Sequence, residues 1–184
     1  MGIYMFNESN ILTVAKFMST IRPIWWDYEG ALGQLSNTEG SIETVGWFIG
    51  ENEKQPKGWV LCRELKLYRA IELECCGYDD NGNFALGHKL GELFDVICEY
   101  AKGKRYLTFR TGMGSQQFNI HGRELGNIGE EISNLKTDDR IDYDWLLEYG
   151  FKVIGIQPNA YEDKFHLIML SKDLRCEVEN VRKR

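Results

Sequence analysis

A glycine-containing turn between a strand and a helix is the first part of this sequence whose residue types fit a chemical task. Residues 70–76 read as a strand, residues 77–83 as a polar turn and residues 86–101 as an amphipathic helix. A helix N-terminus presents unpaired backbone N–H groups at the positive end of the helix dipole, and such groups bind phosphates. The pattern therefore predicts a phosphate or pyrophosphate site, although the same pattern also occurs in units that bind no ligand.

Aromatic residues interspersed with carboxylates form a second candidate site at residues 25–29. Its members are Trp25, Trp26, Asp27, Tyr28 and Glu29. Aromatic faces attract cations, and carboxylates pair with them, so the functional interpretation is a wall that receives an amine. The alternative is that these rings fill the core at a corner between two helices.

Two more carboxylates alternate with apolar residues in the strand at residues 70–76. Glu72 and Glu74 lie two positions apart, and successive side chains of a strand point to opposite faces of the sheet. Both carboxylates are therefore expected on one face, where they either line a cleft or meet solvent.

Composition limits the partners of the chain. The 28 acidic and 22 basic residues give a net charge of −6, which argues against binding of nucleic acid and favours a small cationic molecule. No apolar run reaches the length of a membrane span, and no secretory signal is visible, so we expect no membrane attachment. Five cysteines without metal-ligand spacing predict no metal site and a reduced, cytoplasmic protein.

The remaining periodicity indicates an alternation of strands and helices. The expected elements are a helix at 11–21, strands at 44–49, 59–65 and 68–76, the helix at 86–101, a strand at 105–110, a short helix at 143–149 and a hairpin of 151–156 with 165–170. Because strand-helix-strand connections make parallel crossovers, we expect one α/β (α+β) domain over residues 1–184. Its sheet should be mixed, mostly antiparallel and twisted, with a central parallel strand pair and flanking helices.

This order of elements, with residues 147–152 (Leu-Glu-Tyr-Gly-Phe-Lys) before the last hairpin, resembles the GNAT (GCN5-related) N-acetyltransferase superfamily over nearly the whole chain. In that family the turn after the fourth strand holds the pyrophosphate of coenzyme A through the pattern Gln/Arg-x-x-Gly-x-Gly/Ala. Gly87 matches the last position, whereas Ala85 replaces the middle glycine and Gly82 replaces the first basic or amide residue. The backbone N–H donors survive these changes. The resemblance implies acetyl-CoA as cofactor, bound at Cys76, Gly77, Gly82, Asn83, Phe84, Ala85, Leu86, Gly87 and His88.

The resemblance also implies acetyl transfer to an amine, with a division of roles among residues. Glu74 is the expected general base, Glu72 is a supporting charge, and residues 25–29 lie near the acceptor. Leu146 stands where the family often has a tyrosine that protonates the departing thiolate, so Tyr143, one helical turn back, is the expected substitute. Residues 112–142 form an insertion that is atypical of the family, and family members commonly pair as homodimers.

Three functions remain open at this point. The first is an acetyl-CoA-dependent N-acetyltransferase that acts by direct transfer on a small-molecule amine. The second is a non-catalytic acyl-CoA-binding or ligand-sensing module on the same fold, which the residues at Gly82, Ala85 and Leu146 would permit. The third is a structural partner protein whose strand-turn-helix unit binds no anion.

Overall fold

The computed structural model describes residues 1–36, 43–81, 83–85, 87–137 and 141–175, with the backbone alone for residues 83–85, 87, 88 and 141. Its strands are β1 (Gly2–Met5), β2 (Glu43–Gly50), β3 (Pro56–Leu65), β4 (Ala70–Asp80), β5 (Asn83–Ala85), β6 (Thr108–Gly114), β7 (Lys152–Glu162) and β8 (Phe165–Asp173). Its α-helices are α1 (Ile11–Ile21), α2 (Tyr28–Ser36), α3 (Gly91–Gly103), α4 (Ile128–Ser133) and α5 (Ile141–Glu148). In the described residues, no helix combines the length and apolar character needed to cross a membrane.

The chain forms two compact units, residues 1–107 and 108–184. In the first unit β1 to β5 pair in sequence order, and each pair is antiparallel. The strands at 70–76 and 105–110, which we expected to form the parallel pair, correspond to β4 in the first unit and β6 in the second.

The sheet of the first unit carries helices on both faces. Phe48 packs in one cluster with residues of α1 and α2, among them Val14 and Met18. The neighbouring residue Trp47 points the other way and meets the ring of Tyr100 in α3, with ring centres 5.1 Å apart. Because adjacent strand residues alternate between faces, α1 and α2 cover one face and α3 the other.

The predicted turn at 77–83 and the predicted helix start at 86 are both displaced. Strand β4 continues to Asp80, the chain reverses at Asn81 with a φ of 56°, and β5 then pairs back onto residues 78–80. A 3-10 turn, Gly87–Leu90, leads into α3 at Gly91. The polar residues after Gly77 indicate a turn by their type, but the pairing with β5 holds them in an extended hairpin.

The second unit is an antiparallel sheet in which β8 pairs with both β6 and β7. Helix α5 ends before Gly150, whose φ of 100° is the left-handed conformation expected of a glycine at a helix end. Phe151, directly after this turn, packs edge-on against Phe109 of β6, with ring centres 5.1 Å apart.

Candidate functional site

Strand β4 contains a bulge at Glu74. Leu61 of β3 lies opposite Cys75, whereas the next residue, Cys62, lies opposite Leu73. Glu74 is therefore an extra residue without a partner on β3, which defines a β-bulge. Bulges bend a strand and redirect a side chain, and they are frequent beside active sites.

Glu74 lies on the face of the sheet that α1 and α2 cover. Arg63 lies on the same face of β3 as Leu61, and it pairs directly opposite Glu72. Its guanidinium Nη2 lies 2.6 Å from Oε2 of Glu74. Residues directly opposite in an antiparallel pair project to the same side, so Glu72 and Glu74 share this face, as predicted. Cys75 lies on it too, because the bulge resets the alternation.

The carboxyl group of Glu74 has a perturbed acidity. Burial raises its pKa and the charge of Glu72 raises it further, while the ion pair and hydrogen bond to Arg63 lower it, leaving the pKa above its usual range. The side chain of Glu74 is 16% exposed. A mostly shielded carboxylate with a raised pKa has the properties expected of a general base.

The thiol of Cys75 lies beside this carboxylate and is partly buried against the cluster under α1 and α2. Burial raises its pKa to about 12 despite a hydrogen bond with Trp59. The thiol therefore stays neutral at physiological pH, and a neutral thiol is a poor nucleophile. On this part of β4 the carboxylates are therefore the candidates for acid–base chemistry.

The loop between α1 and α2 holds the predicted aromatic wall, and its members differ in their surroundings. The ring of Trp26 contacts Trp59 of the core, with centres 6.4 Å apart, so it anchors the loop. Trp25 is 64% exposed, and the guanidinium of Arg22 lies 4.5 Å from its ring centre. The protein's own cation therefore covers one face of the ring that we expected to receive an amine.

The acidic residues of this loop serve the start of α2. Oδ1 of Asp27 accepts a hydrogen bond from the backbone N–H of Gly30 at 2.7 Å, as a residue preceding a helix commonly does. Glu29 lies exposed in the first turn of the helix, where its charge complements the helix dipole. Tyr28 is 37% exposed. Asp27 is therefore engaged as a cap, and Tyr28 and Glu29 remain accessible.

The predicted coenzyme A turn is described in part. Gly82 and Leu86 lie outside the described residues, and for Asn83, Phe84, Ala85, Gly87 and His88 only the backbone is described. Cys76 and Gly77 lie in β4, opposite Val60 and Trp59. The residues expected to bind the pyrophosphate therefore begin in a hairpin and end in the 3-10 turn before α3.

The N-terminus of α3 continues from the 3-10 turn and has no side-chain cap. The residue before it, Leu90, has no acceptor atom in its side chain and makes no capping hydrogen bond. The first-turn N–H groups of α3 therefore have no side-chain partner at that position. The side chain of Lys89 is 52% exposed, and its Nζ lies 3.7 Å from Oδ1 of Asp80. Lys89 is the cation nearest in sequence to this helix start.

Tyr143 lies in the second unit, on the buried side of α5. It is 9% exposed, and its ring meets Phe118 edge-on with centres 5.0 Å apart. Burial raises the pKa of its hydroxyl, and the charge of Asp144 adds to this. Leu146 is buried on the same helix. The phenol of Tyr143 is thus protonated at neutral pH, which a proton donor requires.

The segment of residues 115–137, most of the predicted insertion, is tied to the sheet of the second unit. Oγ of Ser115 accepts a hydrogen bond from the backbone N–H of His166 and lies 3.1 Å from Nδ1 of His121. The backbone carbonyl of Arg123 lies 3.0 Å from Nε2 of His166 in β8, and within the segment Arg123 makes two hydrogen bonds to Glu131, at 2.9 and 2.6 Å. His121 is exposed, whereas Ser115 is fully buried. This Ser–His contact is therefore a structural link.

Sequence comparison finds no match: no family model matches the chain, and no curated protein is similar to it. Solved structures do match. An aminoglycoside 6'-N-acetyltransferase complexed with coenzyme A has a TM-score of 0.77 at 12% identity, covering 95% of this chain and 97% of that one. The aminoglycoside 6'-N-acetyltransferase from Enterococcus faecium has a TM-score of 0.74 at 13% identity, with the same coverage.

A third matching structure belongs to a named family. A protein described as an acetyltransferase of the GNAT family, from Desulfovibrio desulfuricans, has a TM-score of 0.57 at 7% identity and covers 94% of this chain and 99% of that one. The likeness confirms the fold that we expected from the resemblance: this chain has the α/β fold of GNAT acetyltransferases.

Proposed function

We propose that this protein is an acetyl-CoA-dependent N-acetyltransferase that transfers an acetyl group directly to the amine of a small cationic molecule. The observation that carries the proposal is the bulge of β4, which holds the carboxylate of Glu74 at a shielded position with a raised pKa. Glu74 lies two residues before Cys76, where the resemblance implies that a backbone N–H polarises the thioester.

The cofactor end of the proposal is supported by the start of α3. Its N-terminal N–H groups follow a residue that cannot cap them, and the ammonium of Lys89 lies beside them in sequence. Lys89 supplies the cation that Gly82 does not supply at the first motif position. Anions bind at such helix starts, and the neighbour with a TM-score of 0.77 is complexed with coenzyme A.

Acetyl-CoA supplies the activated acyl group as a thioester. The residues of this chain then have three tasks. Oε1 or Oε2 of Glu74 takes the proton that the amine must lose before or during attack. The backbone near Cys76 and Gly77 stabilises the negative charge that develops on the carbonyl oxygen. Tyr143 donates its phenolic proton to the leaving thiolate. Much of the acceleration would come from positioning alone.

A small cationic acceptor fits the charges of this part of the molecule. Glu72 and Glu74 share one face of the sheet with the loop that contains Trp25 and Trp26, and the whole chain carries a net charge of −6. Two neighbours with TM-scores above 0.7 are named aminoglycoside acetyltransferases, and aminoglycosides are polyamines. The Arg22 guanidinium over Trp25 opposes a cation at that ring, so we place the amine at the glutamates.

One observation favours a non-catalytic acyl-CoA-binding module as the second candidate. Leu146, where the family often has its proton donor, is 6% exposed and packs in the interior of the second unit. A sensor needs neither a base nor an acid. It would bind acetyl-CoA with no amine-dependent release of coenzyme A.

A cytoplasmic location and a homodimer remain part of the proposal. The described cysteines Cys62, Cys75, Cys76 and Cys98 are free thiols, which supports a reducing compartment. Light scattering of the purified protein over a range of concentrations would determine whether it is a dimer.

Acetyl-CoA titration of the purified protein, followed by calorimetry, tests the proposal first. Binding followed by release of free coenzyme A with a panel of small amines would support the transferase. Binding without release for any amine would favour the sensor. No binding at millimolar ligand would overturn both and leave the structural role.

A further inference from the structure

The ion pair between Arg63 and Glu74 engages one oxygen of the carboxylate. Nη2 of Arg63 lies 2.6 Å from Oε2, a distance typical of charge-assisted hydrogen bonds. Within the part of the chain that the structure describes, Oε1 of Glu74 has no hydrogen-bond partner. The two oxygens of this carboxylate therefore differ, since one is held and the other is open.

Arg63 forms its ion pair with the residue of the bulge. Glu72 lies directly opposite Arg63 in the register, whereas the guanidinium contacts Glu74, which has no partner on β3. The side chain of Arg63 is 41% exposed and that of Glu74 is 16% exposed, so the carboxylate is the more buried member of the pair.

We propose that Arg63 is a positioning residue for Glu74: it fixes the carboxylate in the bulge with Oε2 bound and presents Oε1 to the acceptor amine. The inference rests on the proposed transferase function. Arg63 itself does not exchange a proton with the substrate, because its guanidinium stays charged throughout the accessible pH range. It acts through the orientation and charge of Glu74.

The electrostatics of the site agree with this role. Burial and the charge of Glu72 raise the pKa of Glu74, and Arg63 opposes both effects. Without Arg63, a larger share of Glu74 would be protonated at neutral pH and could not accept a proton. Burial raises the pKa values of the Cys62 and Cys75 thiols, and the charge of Glu74 raises both further.

The net charge of Arg63, Glu72 and Glu74 together indicates how many amines of the acceptor this face can balance. Arg63 neutralises one of the two glutamates, so the ionised cluster of Arg63, Glu72 and Glu74 carries a single net negative charge. One ammonium group balances it. The geometry thus fits an acceptor that presents one amine to this face at a time.

The test compares Arg63→Gln, Arg63→Lys and a matched control, Lys66→Gln. Lys66 forms an ion pair with Glu43 at the same 2.6 Å, but both side chains of that pair are more than half exposed. The protein is labelled with carbon-13 at glutamate carboxyls, and the signal that Glu74→Gln removes is the Glu74 signal. Titration without acetyl-CoA then reports the Glu74 pKa in each variant.

We expect the pKa of Glu74 to rise in Arg63→Gln and to stay unchanged in Lys66→Gln. The acid limb of the kcat/KM profile should move to higher pH by the same amount, and activity on that limb should fall about tenfold for each whole pH step that the limb moves. Arg63→Lys should retain the pKa, because it keeps the charge. Its kcat should still fall, because the ammonium of a lysine does not reproduce the position and direction of the N–H group at Nη2 that holds Oε2.

If the wild type is active and Arg63→Gln changes neither the Glu74 pKa nor the acid limb of the kcat/KM profile, the role of Arg63 is overturned and the transferase function is not. Wild-type kcat in both Arg63 variants, with thermal unfolding showing that both are folded, would also overturn the role of Arg63. A wild type that transfers no acetyl group to any amine would overturn the proposed function and this role with it, and the titration would still measure the ion pair.

Discussion

The guanidinium of Arg22 lies 4.5 Å from the centre of the Trp25 ring and covers one of its faces. Arg22 follows the last residue of α1, and its backbone carbonyl accepts hydrogen bonds from the N–H groups of Trp25 and Trp26. The cation and the exposed ring are therefore held together by the turn that ends the helix. A cationic acceptor that approached this loop would meet a positive charge.

Replacing Arg22 with glutamine should improve binding of a cationic acceptor. The substitution removes the positive charge and uncovers the ring of Trp25, which is then open to a ligand cation. We expect a lower KM for cationic amines and an unchanged Kd for acetyl-CoA, measured by steady-state kinetics and calorimetry. Lys54→Gln, in the exposed turn after β2, is the control for net charge. A higher KM in Arg22→Gln would indicate an acceptor with an anionic group that Arg22 binds.

Glu74→Gln should reduce turnover by about 10²- to 10⁴-fold, the range for loss of a general base, with no change in acetyl-CoA affinity. Glu72→Gln is the matched control and should have the smaller effect. Full activity of Glu74→Gln would remove this residue as the base.

The same substitution should stabilise the protein at neutral pH. The folded state raises the pKa of Glu74, so it disfavours the ionised form. That cost is absent below the unfolded-state pKa of about 4.3 and grows as the pH rises through the folded-state pKa. Melting temperatures of Glu74→Gln and the wild type should therefore coincide near pH 4 and diverge at pH 7, with the variant higher. A variant that is less stable at pH 7 would mean that the ion pair to Arg63 outweighs the cost of burial.

Gly87→Trp should abolish the stabilisation of the protein by coenzyme A. Gly87 begins the 3-10 turn before α3, and a large side chain there would occupy the space of the pyrophosphate. Gly103→Trp is the control, because it lies at the other end of α3 and a side chain there meets open space. The measurement is the thermal shift with coenzyme A. Equal shifts in Gly87→Trp and wild type would place the anion elsewhere.

Tyr143→Phe should lower kcat by about 10²-fold, as expected for loss of a proton donor, while the packing of its ring on Phe118 is kept. Tyr149→Phe is the control. The Tyr149 ring stacks on Trp145 and lies 4.1 Å from Nζ of Lys172, so loss of its hydroxyl should leave kcat unchanged. If Tyr143→Phe keeps both the kcat and the melting temperature of the wild type, the proton on the thiolate comes from solvent.

Glu131→Gln should destabilise the 115–137 segment itself, because Arg123, Gly126 and Glu131, which bond to one another, all lie within it. Hydrogen bonds from Arg123 and from the backbone of Gly126 lower the pKa of Glu131 to about 2. A lowered pKa contributes stability above the unfolded value of about 4.3, and this stability is lost as the pH falls toward 2. The melting temperature of Glu131→Gln should be below wild type at pH 7, with the difference vanishing near pH 2. A difference that persists at pH 2 would assign the effect to packing.

Local patterns in the sequence were enough for most of the elements. The helical spacing of Val14, Ala15 and Met18 predicted α1 and its buried side, and all of them lie in the core. Gly150 predicted the end of α5, because only a glycine adopts a left-handed conformation there without strain. Each of these features depends on residues within a few positions of one another.

The bulge could not be predicted in this way. Alternation placed Glu72 and Glu74 on one face and Cys75 on the other, whereas Cys75 joins them because the register with β3 shifts by one residue. Register depends on the pairing of two strands, and no periodicity within β4 reveals it. The hairpin of β4 and β5 was missed for the same reason, since polar residues at 78–83 indicated a turn.

The sequence by itself determined the order of helices and strands, the charge of the chain and the residue types available for acid–base chemistry, because these follow from composition and from spacing along one segment. Tertiary structure alone decided that Arg63 holds Glu74, that Arg22 covers Trp25 and that Asp27 caps α2. Each of these contacts depends on where two backbone segments meet, and the free energy of packing the whole chain sets that position.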